Sequence, residues 1–245
     1  MAEPIALTFL GTGNFNAQGR YWNSFLIDDR LLVEPSPIAL PHLHRTGRDA
    51  TQIDIIFLSH FHADHSFGWP FLLLSQIGRR TTPLWIVGPP GIEAFLDTML
   101  RAGAIDHLVA AARAAVGGFP LHFVEVNGAT QEAGGVRFRA VTVEHDPALA
   151  CFGYLIEHKG RTIGYSGDTR LCAGLREIAA GADLLVLECN QAHGQPSVHM
   201  SLAGVRTLRA EFPDLPIVLT HMGADVSAVD IPDVRLPADC ETLRR

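Results

Sequence analysis

Between residues 59 and 65 the chain reads Ser59-His60-Phe61-His62-Ala63-Asp64-His65, and no other stretch restricts the fold so tightly. His60, His62, Asp64 and His65 follow directly on a mainly apolar run, Ile53 to Leu58, that predicts a buried strand. Crowded into a core without a cation, such groups would be poorly satisfied. Imidazoles beside a carboxylate suit zinc, iron or manganese instead. The carboxyl end of a strand is also where open α/β sheets place their sites. One such loop cannot close two metal sites, so further ligands are expected at other strand ends. Three residues stand there: His145 after the strand predicted to end at Val143, Asp168 in Tyr165-Ser166-Gly167-Asp168-Thr169, and His221 in Leu219-Thr220-His221-Met222.

The rest of the pattern alternates short apolar runs with helical periodicity. Strands are predicted over Ile5–Leu10, Trp85–Val87, Val136–Val143, Gly153–Ile156, Thr162–Tyr165, Leu184–Leu187 and Ile217–Leu219, with a hairpin of Phe25–Ile27 and Leu31–Val33 around Asp28-Asp29-Arg30. Ile92, Phe95, Leu96, Met99 and Leu100 form one helical stripe that stops near Gly103. A short helix is expected around Leu175–Ala180, and Ser201 is placed to cap another with Leu202, Val205, Leu208 and Phe212 inside. Strands and helices alternating in both halves predict an α/β layered fold with helices outside the sheets.

Composition removes several classes. A chain of 245 residues with 47% hydrophobic and 18% charged residues is neither disordered nor fibrous. The longest apolar run, Trp69 to Ile77, is far short of the ~20 residues of a membrane span. The start, Met1-Ala2-Glu3-Pro4, has no secretory character, and Cys151, Cys172, Cys189 and Cys240 are scattered; both features predict a cytoplasmic protein with reduced thiols. A net charge of −7 argues against a long polyanion as partner. Lys159 is the sole lysine among 19 basic residues, a bias that suggests GC-rich coding and a bacterial source.

On the ligand loop and the three strand-end residues, the sequence resembles the metallo-β-lactamase superfamily over nearly its whole length. The resemblance implies a four-layer αββα sandwich, residues 1–245 forming one domain of two similar halves. It implies two divalent metal ions, zinc first, with manganese or iron as alternatives. His60, His62 and His145 would hold one ion, Asp64, His65 and His221 the other, and Asp168 would bridge both. Histidine at position 62, where flavodiiron oxygen reductases carry glutamate, favours hydrolysis. The flank Val143-Glu144-His145-Asp146-Pro147, running on to Phe152-Gly153-Tyr154, lacks the Pro-Gly-His-x-x-Gly context of glyoxalase II and the lactonases. It resembles the ribonuclease Z and cyclic-phosphodiesterase branch.

In that branch a histidine matching His199 serves as proton donor or phosphate contact, its ring held by an acidic residue matching Glu188. Asp64, His199 and Glu188 are therefore the expected catalytic residues. Ribonuclease Z inserts a tRNA-gripping arm between the equivalents of His145 and Asp168, which here are only 23 residues apart. With the acidic balance, this spacing predicts a small-molecule substrate, no membrane partner and no tRNA. Analogy with relatives adds a homodimer. The N-terminal cysteine-rich zinc site of the phosphonate-breakdown cyclic phosphodiesterases has no counterpart, since no cysteine precedes Cys151.

The expected reaction is hydrolysis of a small phosphodiester, cyclic or nucleotide-like. A carboxylic or sulfuric ester hydrolase of lactonase or arylsulfatase type is the main alternative. An iron-dependent oxygenase and a non-catalytic binding module stay open behind it. Phe67, Trp69, Arg45, Arg79 and Arg80 are candidate substrate contacts by proximity. His193 in the loop Asn190–Ser197 is a weaker candidate for a role. His42 and His44 in the presumed loop Pro35–Thr46, with His107, His122 and His158, are expected at the surface.

Overall fold

The structure, a computed structural model, describes residues 3–107, 110, 119–193 and 197–245. Part of the loop expected over Asn190–Ser197 lies outside these residues. The first half contributes strands β1 (Ala6–Gly11), β2 (Ser24–Ile27), β3 (Leu31–Val33), β4 (Ile55–Phe57), β5 (Leu84–Gly88) and β6 (Leu121–Glu125). The second contributes β7 (Thr130–Ala133), β8 (Val136–Thr142), β9 (Phe152–His158), β10 (Arg161–Tyr165), β11 (Leu184–Glu188), β12 (Ile217–Thr220) and β13 (Val234–Arg235), before β14 (Thr242–Arg244) returns to the first sheet.

The sheets are ordered β14-β1-β2-β3-β4-β5-β6 and β13-β12-β11-β10-β9-β8-β7. Pairing in each changes from antiparallel to parallel: at β3–β4 in the first and at β10–β11 in the second. The two halves thus repeat one architecture. Asp28 and Asp29, both at positive φ (48° and 60°), make the tight turn in the three-residue connection Asp28-Asp29-Arg30 between β2 and β3.

Strand side chains alternate between two apolar environments. Phe25, Ile27, Leu31, Val33, Ile55 and Phe57 point inward and meet Phe138, Tyr154, Ile156, Tyr165 and Val186 of the opposite sheet. Leu26, Leu32, Ile56 and Ile86 point outward and are covered by helices α1 (Ala39–Arg45), α3 (Trp69–Leu74) and α4 (Ile92–Ala102), with the single-turn α2 (Ala63–Ser66) before α3. On the far side α5 (Ala173–Gly181) and α6 (Leu202–Glu211) cover Leu185, Leu187 and Leu219. Burial on both faces is why these strands read as near-continuous apolar runs, and it gives the four-layer αββα sandwich. Ser201 caps α6 as expected, its Oγ accepting from the Gly204 N–H at 3.4 Å.

Some expectations need correction. The fourth strand runs only from Ile55 to Phe57, and Asp54 before it pairs with Arg30 and Arg80. The segment expected to loop over Pro35–Thr46 contains α1, and His42 is buried on it, its Nδ1 at 2.5 Å from the Leu10 carbonyl and its ring against Tyr21. His122 stacks on Trp85 and His158 bonds Asp28, so both are half-buried, whereas His44 and His107 are exposed. No helix among the described residues is long and apolar enough to cross a membrane.

Candidate metal centre

The parallel strands β3, β4, β10, β11 and β12 all deliver polar residues at their carboxyl ends, and these meet between the two sheets. Hydrogen bonds from one sheet to the other hold the edges in place. The Phe152 N–H donates to the Ser59 carbonyl (3.1 Å), and the Tyr154 hydroxyl donates to that of Leu58 (2.6 Å). At the end of β10, Gly167 adopts φ 58° with its Cα against the Phe152 carbonyl; a Cβ there would lie 2.3 Å from that oxygen. Only glycine fits this turn, and it swings Asp168 inward. His221 and Glu34 also lie just past strand ends at positive φ, 48° and 60°. Left-handed backbone at non-glycine residues persists where surrounding contacts over-determine it.

His60, His62 and His145 offer nitrogens that converge, Nε2 of His60 lying 2.9 Å and Nε2 of His145 3.3 Å from Nδ1 of His62. A second set comprises Asp64, His65 and His221, the Asp64 Oδ2 standing 3.5 Å from Nε2 of each histidine. Asp168 lies between them: its Oδ2 is 3.2 Å from His221, 3.4 Å from His65 and 3.9 Å from His145, each at Nε2. All seven residues singled out by sequence are therefore brought together.

Four of the five histidine rings face a polar contact on their far side. Ser59 Oγ meets Nδ1 of His60 at 2.8 Å, Asp146 Oδ2 faces Nε2 of His62 at 3.3 Å, and the Val198 carbonyl faces Nδ1 of His145 at 3.3 Å. Behind His65 stands Glu34, fully buried, its Oε1 3.6 Å from Nδ1 while its carboxylate accepts the Ser59 N–H. Sequence reasoning missed Glu34. The available signal was a carboxylate directly after the wholly apolar strand Leu31–Val33, where an uncompensated charge has no business.

The chemistry of this set fits a cation. Both nitrogens of His65 and His221, and Oδ1 of Asp168, are buried without a hydrogen-bond partner. Facing imidazole nitrogens cannot all be donors, so a shared positive charge would satisfy the cluster through lone pairs turned toward it. Burial acts to raise the carboxyls of Asp168 and Asp64, but His221 and His65 overcome it and hold both well below the ordinary range. Burial, with the charge of His65, pushes His60 well below 6.5, leaving it in the neutral form a metal requires.

His199 sits beside this cluster, its Nδ1 2.8 Å from Glu188 Oε1 and its ring 4.6 Å from that of His145. Glu188 is fully buried and also accepts the Thr169 N–H, next to Asp168 (2.8 Å). Burial raises the Glu188 carboxyl. Burial would lower His199, but the hydrogen bond and charge of Glu188 outweigh it and raise the ring above 6.5.

An open cavity of about 620 Å³ leads to the cluster and is lined by His62, Asp64, His145, Asp168, His199 and His221 and by apolar residues, Phe67 among them. The remaining candidate contacts are elsewhere. Trp69 is core, Arg79 pairs with Asp49, and Arg80 is buried against the carbonyls of Thr51, Ile53, Thr82 and Pro83. Arg45 and His193 are exposed and do not line the cavity.

A double-sheet sandwich carrying this buried His/Asp cluster at its strand ends defines the class: a metal-dependent hydrolase. The β-lactamase superfamily domain matches residues 29–222, and the chain belongs to that superfamily. It is similar to ribonuclease Z of Mycolicibacterium gilvum, 31% identical over 193 residues, covering 74% of this chain and 68% of the relative. Ribonuclease Z of Limosilactobacillus reuteri is 36% identical over 163 residues; the match takes in 62% of this chain but spans only about half (49%) of that relative's length. Among solved structures, a diphosphatase of the PhnP family superposes with a TM-score of 0.76 at 19% identity, covering 98% of this chain and 97% of that one. The short form of human tRNase Z gives 0.74 at 20% identity, with 97% and 98% covered.

The expectation that excluded tRNA is overturned by the ribonuclease Z relatives. Net charge sums over a whole surface, whereas an RNA is held by local contacts, so −7 overall does not set the potential where a chain would lie. The hairpin of β9 and β10 does fill the interval between His145 and Asp168. That removes one means of gripping RNA, not every means.

Proposed function

We propose that this protein hydrolyses phosphodiesters with two divalent cations, zinc first, held by His60, His62 and His145 on one side, by Asp64, His65 and His221 on the other, and by Asp168 between them. The observation that carries the reading is the His199–Glu188 pair standing against a complete donor set, in a chain whose relatives are named ribonuclease Z. Bound cations would neutralise the non-bridging phosphate oxygens and lower the pKa of the attacking water.

The side chains do the remaining work. Asp64 and Asp168 accept hydrogen bonds from the nucleophile and orient it. Glu188 takes the Nδ1 proton of His199 in a hydrogen bond, which turns Nε2 toward the leaving oxygen and favours the protonated ring. His199 then donates its Nε2 proton to the leaving oxygen as the P–O bond breaks, while Nδ1 keeps its hydrogen bond to Glu188, an effect worth typically 10²–10⁴ in rate. Because donors come from both halves, residues 1–245 act as one unit. Four unpaired cysteines, three of them buried, support a reducing, cytoplasmic setting.

A small, nucleotide-like diester remains the first substrate proposed, and the ribonuclease Z relatives and the tRNase Z neighbour add tRNA. The test compares bis(4-nitrophenyl) phosphate, a precursor tRNA, a lactone and an aryl sulfate on one zinc-loaded preparation. Diester or RNA cleavage is expected, and His199→Ala should keep the metals yet lose 10²–10⁴ in turnover. Lactone or sulfate turnover without diester cleavage would refute the reading, as would one iron per chain with substrate-dependent oxygen uptake.

A further inference from the structure

Every charged or titratable group lining the cavity belongs to the metal-binding and proton-donating set already described: four histidines and two aspartates. The other lining residues are Phe15, Trp22, Pro37, Ala63 and Phe67. Among the described residues no arginine or lysine lines it. Apart from the protonated ring of His199, a substrate entering this space therefore meets no side-chain cation, and it is met by aromatic faces instead.

Those rings are unusually exposed. Phe15 is 68% and Phe67 50% accessible, although both are large apolar groups. The other exposed large apolar side chains among the described residues are Tyr21, Phe71 and Val198. Tyr21 adjoins Trp22 in the loop between β1 and β2, Phe71 is one helical turn beyond Phe67, and Val198 precedes His199. Scattered exposed hydrophobics need no explanation, but two exposed rings lining one cleft, Phe15 and Phe67, mark a binding surface.

The Trp22 ring and the backbone beneath Phe15 and Phe67 are also held in place before anything binds. The Trp22 indole N–H donates to the Phe15 carbonyl at 3.0 Å, tying the two residues together. Gly13 bridges both Trp22 and Met222, which fixes this loop beside His221. The Phe67 N–H donates to the Ala63 carbonyl at 3.0 Å and the Gly68 N–H to that of Pro35 at 2.9 Å. A Cβ on Gly68 would lie 2.0 Å from the Ser36 carbonyl, so only glycine lets the backbone approach closely enough to set Phe67 at the mouth. A backbone fixed in advance lowers the ordering cost when a flat partner stacks on the rings it carries. The cavity, at about 620 Å³, is of the size that holds a small ligand rather than a bare phosphate.

We propose that Phe15, Trp22 and Phe67 form a stacking wall that takes an uncharged flat ring on the ester, a nucleobase or an aryl group, beside the metal-binding residues. Substrates are then selected by ring stacking next to the scissile bond, and charge is read only at the phosphate itself. The idea rests on the phosphodiester reading for the position of the phosphate. It adds the chemical class of the neighbouring group.

The test measures equilibrium binding of four probes to zinc-loaded protein: inorganic phosphate, ribose 5-phosphate, uridine 5′-monophosphate and phenyl phosphate. Uridine monophosphate should bind at least about fivefold more tightly than ribose 5-phosphate, the gain expected of one stacked base. Phenyl phosphate tighter than inorganic phosphate by a similar factor, without a uridine gain, would assign the wall to aryl esters. Phe67→Ala and Phe15→Ala should each bring these ratios toward one. A ratio is insensitive to the fraction of a variant that folds. Ratios of one in the unmodified protein, or ratios unchanged in both variants, would overturn the wall. Turnover of bis(4-nitrophenyl) phosphate followed in parallel separates the two ideas. Turnover with ratios of one defeats the wall alone; ratios above one without turnover of any diester or RNA defeat the phosphodiester reading and leave the wall standing.

Discussion

Replacing Glu34 by glutamine would test whether the buried carboxylate behind His65 strengthens one half of the metal centre. Glu34 is wholly inaccessible, accepts the Ser59 N–H at 3.3 Å through either oxygen, and faces Nδ1 of His65 at 3.6 Å. Glu34→Gln conserves shape and keeps an acceptor for Ser59, so the fold should survive with a loss of about 1 kcal/mol. What it removes is the negative charge that polarises the His65 ring. Outer carboxylates of this kind contribute about 10–100-fold in metal affinity, equivalent to roughly 1.4–2.7 kcal/mol. The geometry adds an asymmetry. His60, His62 and His145 lean on Ser59, Asp146 and the Val198 carbonyl, and none of them leans on Glu34. With two ions bound as proposed, competition against a chromophoric chelator should therefore show one zinc equivalent weakened by about 10–100-fold and the other within about threefold of the unmodified protein. Equal weakening of both equivalents, or none, would refute the reasoning.

Three further outcomes follow from the same geometry. Glu188→Gln removes the charge that raises His199 above 6.5. A raised histidine is protonated below its folded pKa and loses the proton as pH rises through it, so the basic limb of the kcat/KM profile should move to lower pH; an unmoved limb would exclude His199 as the acid. Asp168→Ala withdraws the carboxylate shared by His65, His145 and His221, and zinc content and turnover should fall together, by more than the ~10–100-fold typical of an outer partner. Turnover that falls while both metals are retained would contradict a bridging role. Arg80→Ala leaves four backbone carbonyls without their guanidinium partner. A loss of about 3 kcal/mol, or roughly 6–12 °C in Tm, is expected with zinc content per folded chain unchanged. A lost affinity for phosphate probes would return Arg80 to the substrate site.

Much of this molecule was legible without coordinates, for definite reasons. Strands buried on both faces must be apolar at every position, so Phe25–Ile27, Leu184–Leu187 and Ile217–Leu219 declared themselves. The ligand loop was legible because four metal-binding groups in six residues have no stable use in a core without a cation. Edges were not. β13 and β14 are two and three residues long, and β6 is only half-buried, so neither periodicity nor composition marks them. Helices α1 and α3 contain Pro41 and Pro70, which read as loop punctuation until packing against the first sheet decides otherwise.

By itself the sequence determined the class of fold and the identity of seven converging donors, since both depend on local residue type and on strand-end position. Tertiary structure alone decided which neighbours those donors lean on. Glu34 and His65 lie 31 positions apart, and Asp146 and His62 lie 84 apart. It also decided that Trp69, Arg79 and Arg80 turn away from the cavity, while Phe15, Trp22 and Phe67 face it. A side chain's direction is set by the backbone turn beneath it and by what already fills the space on the other side, and neither is written in the order of residues.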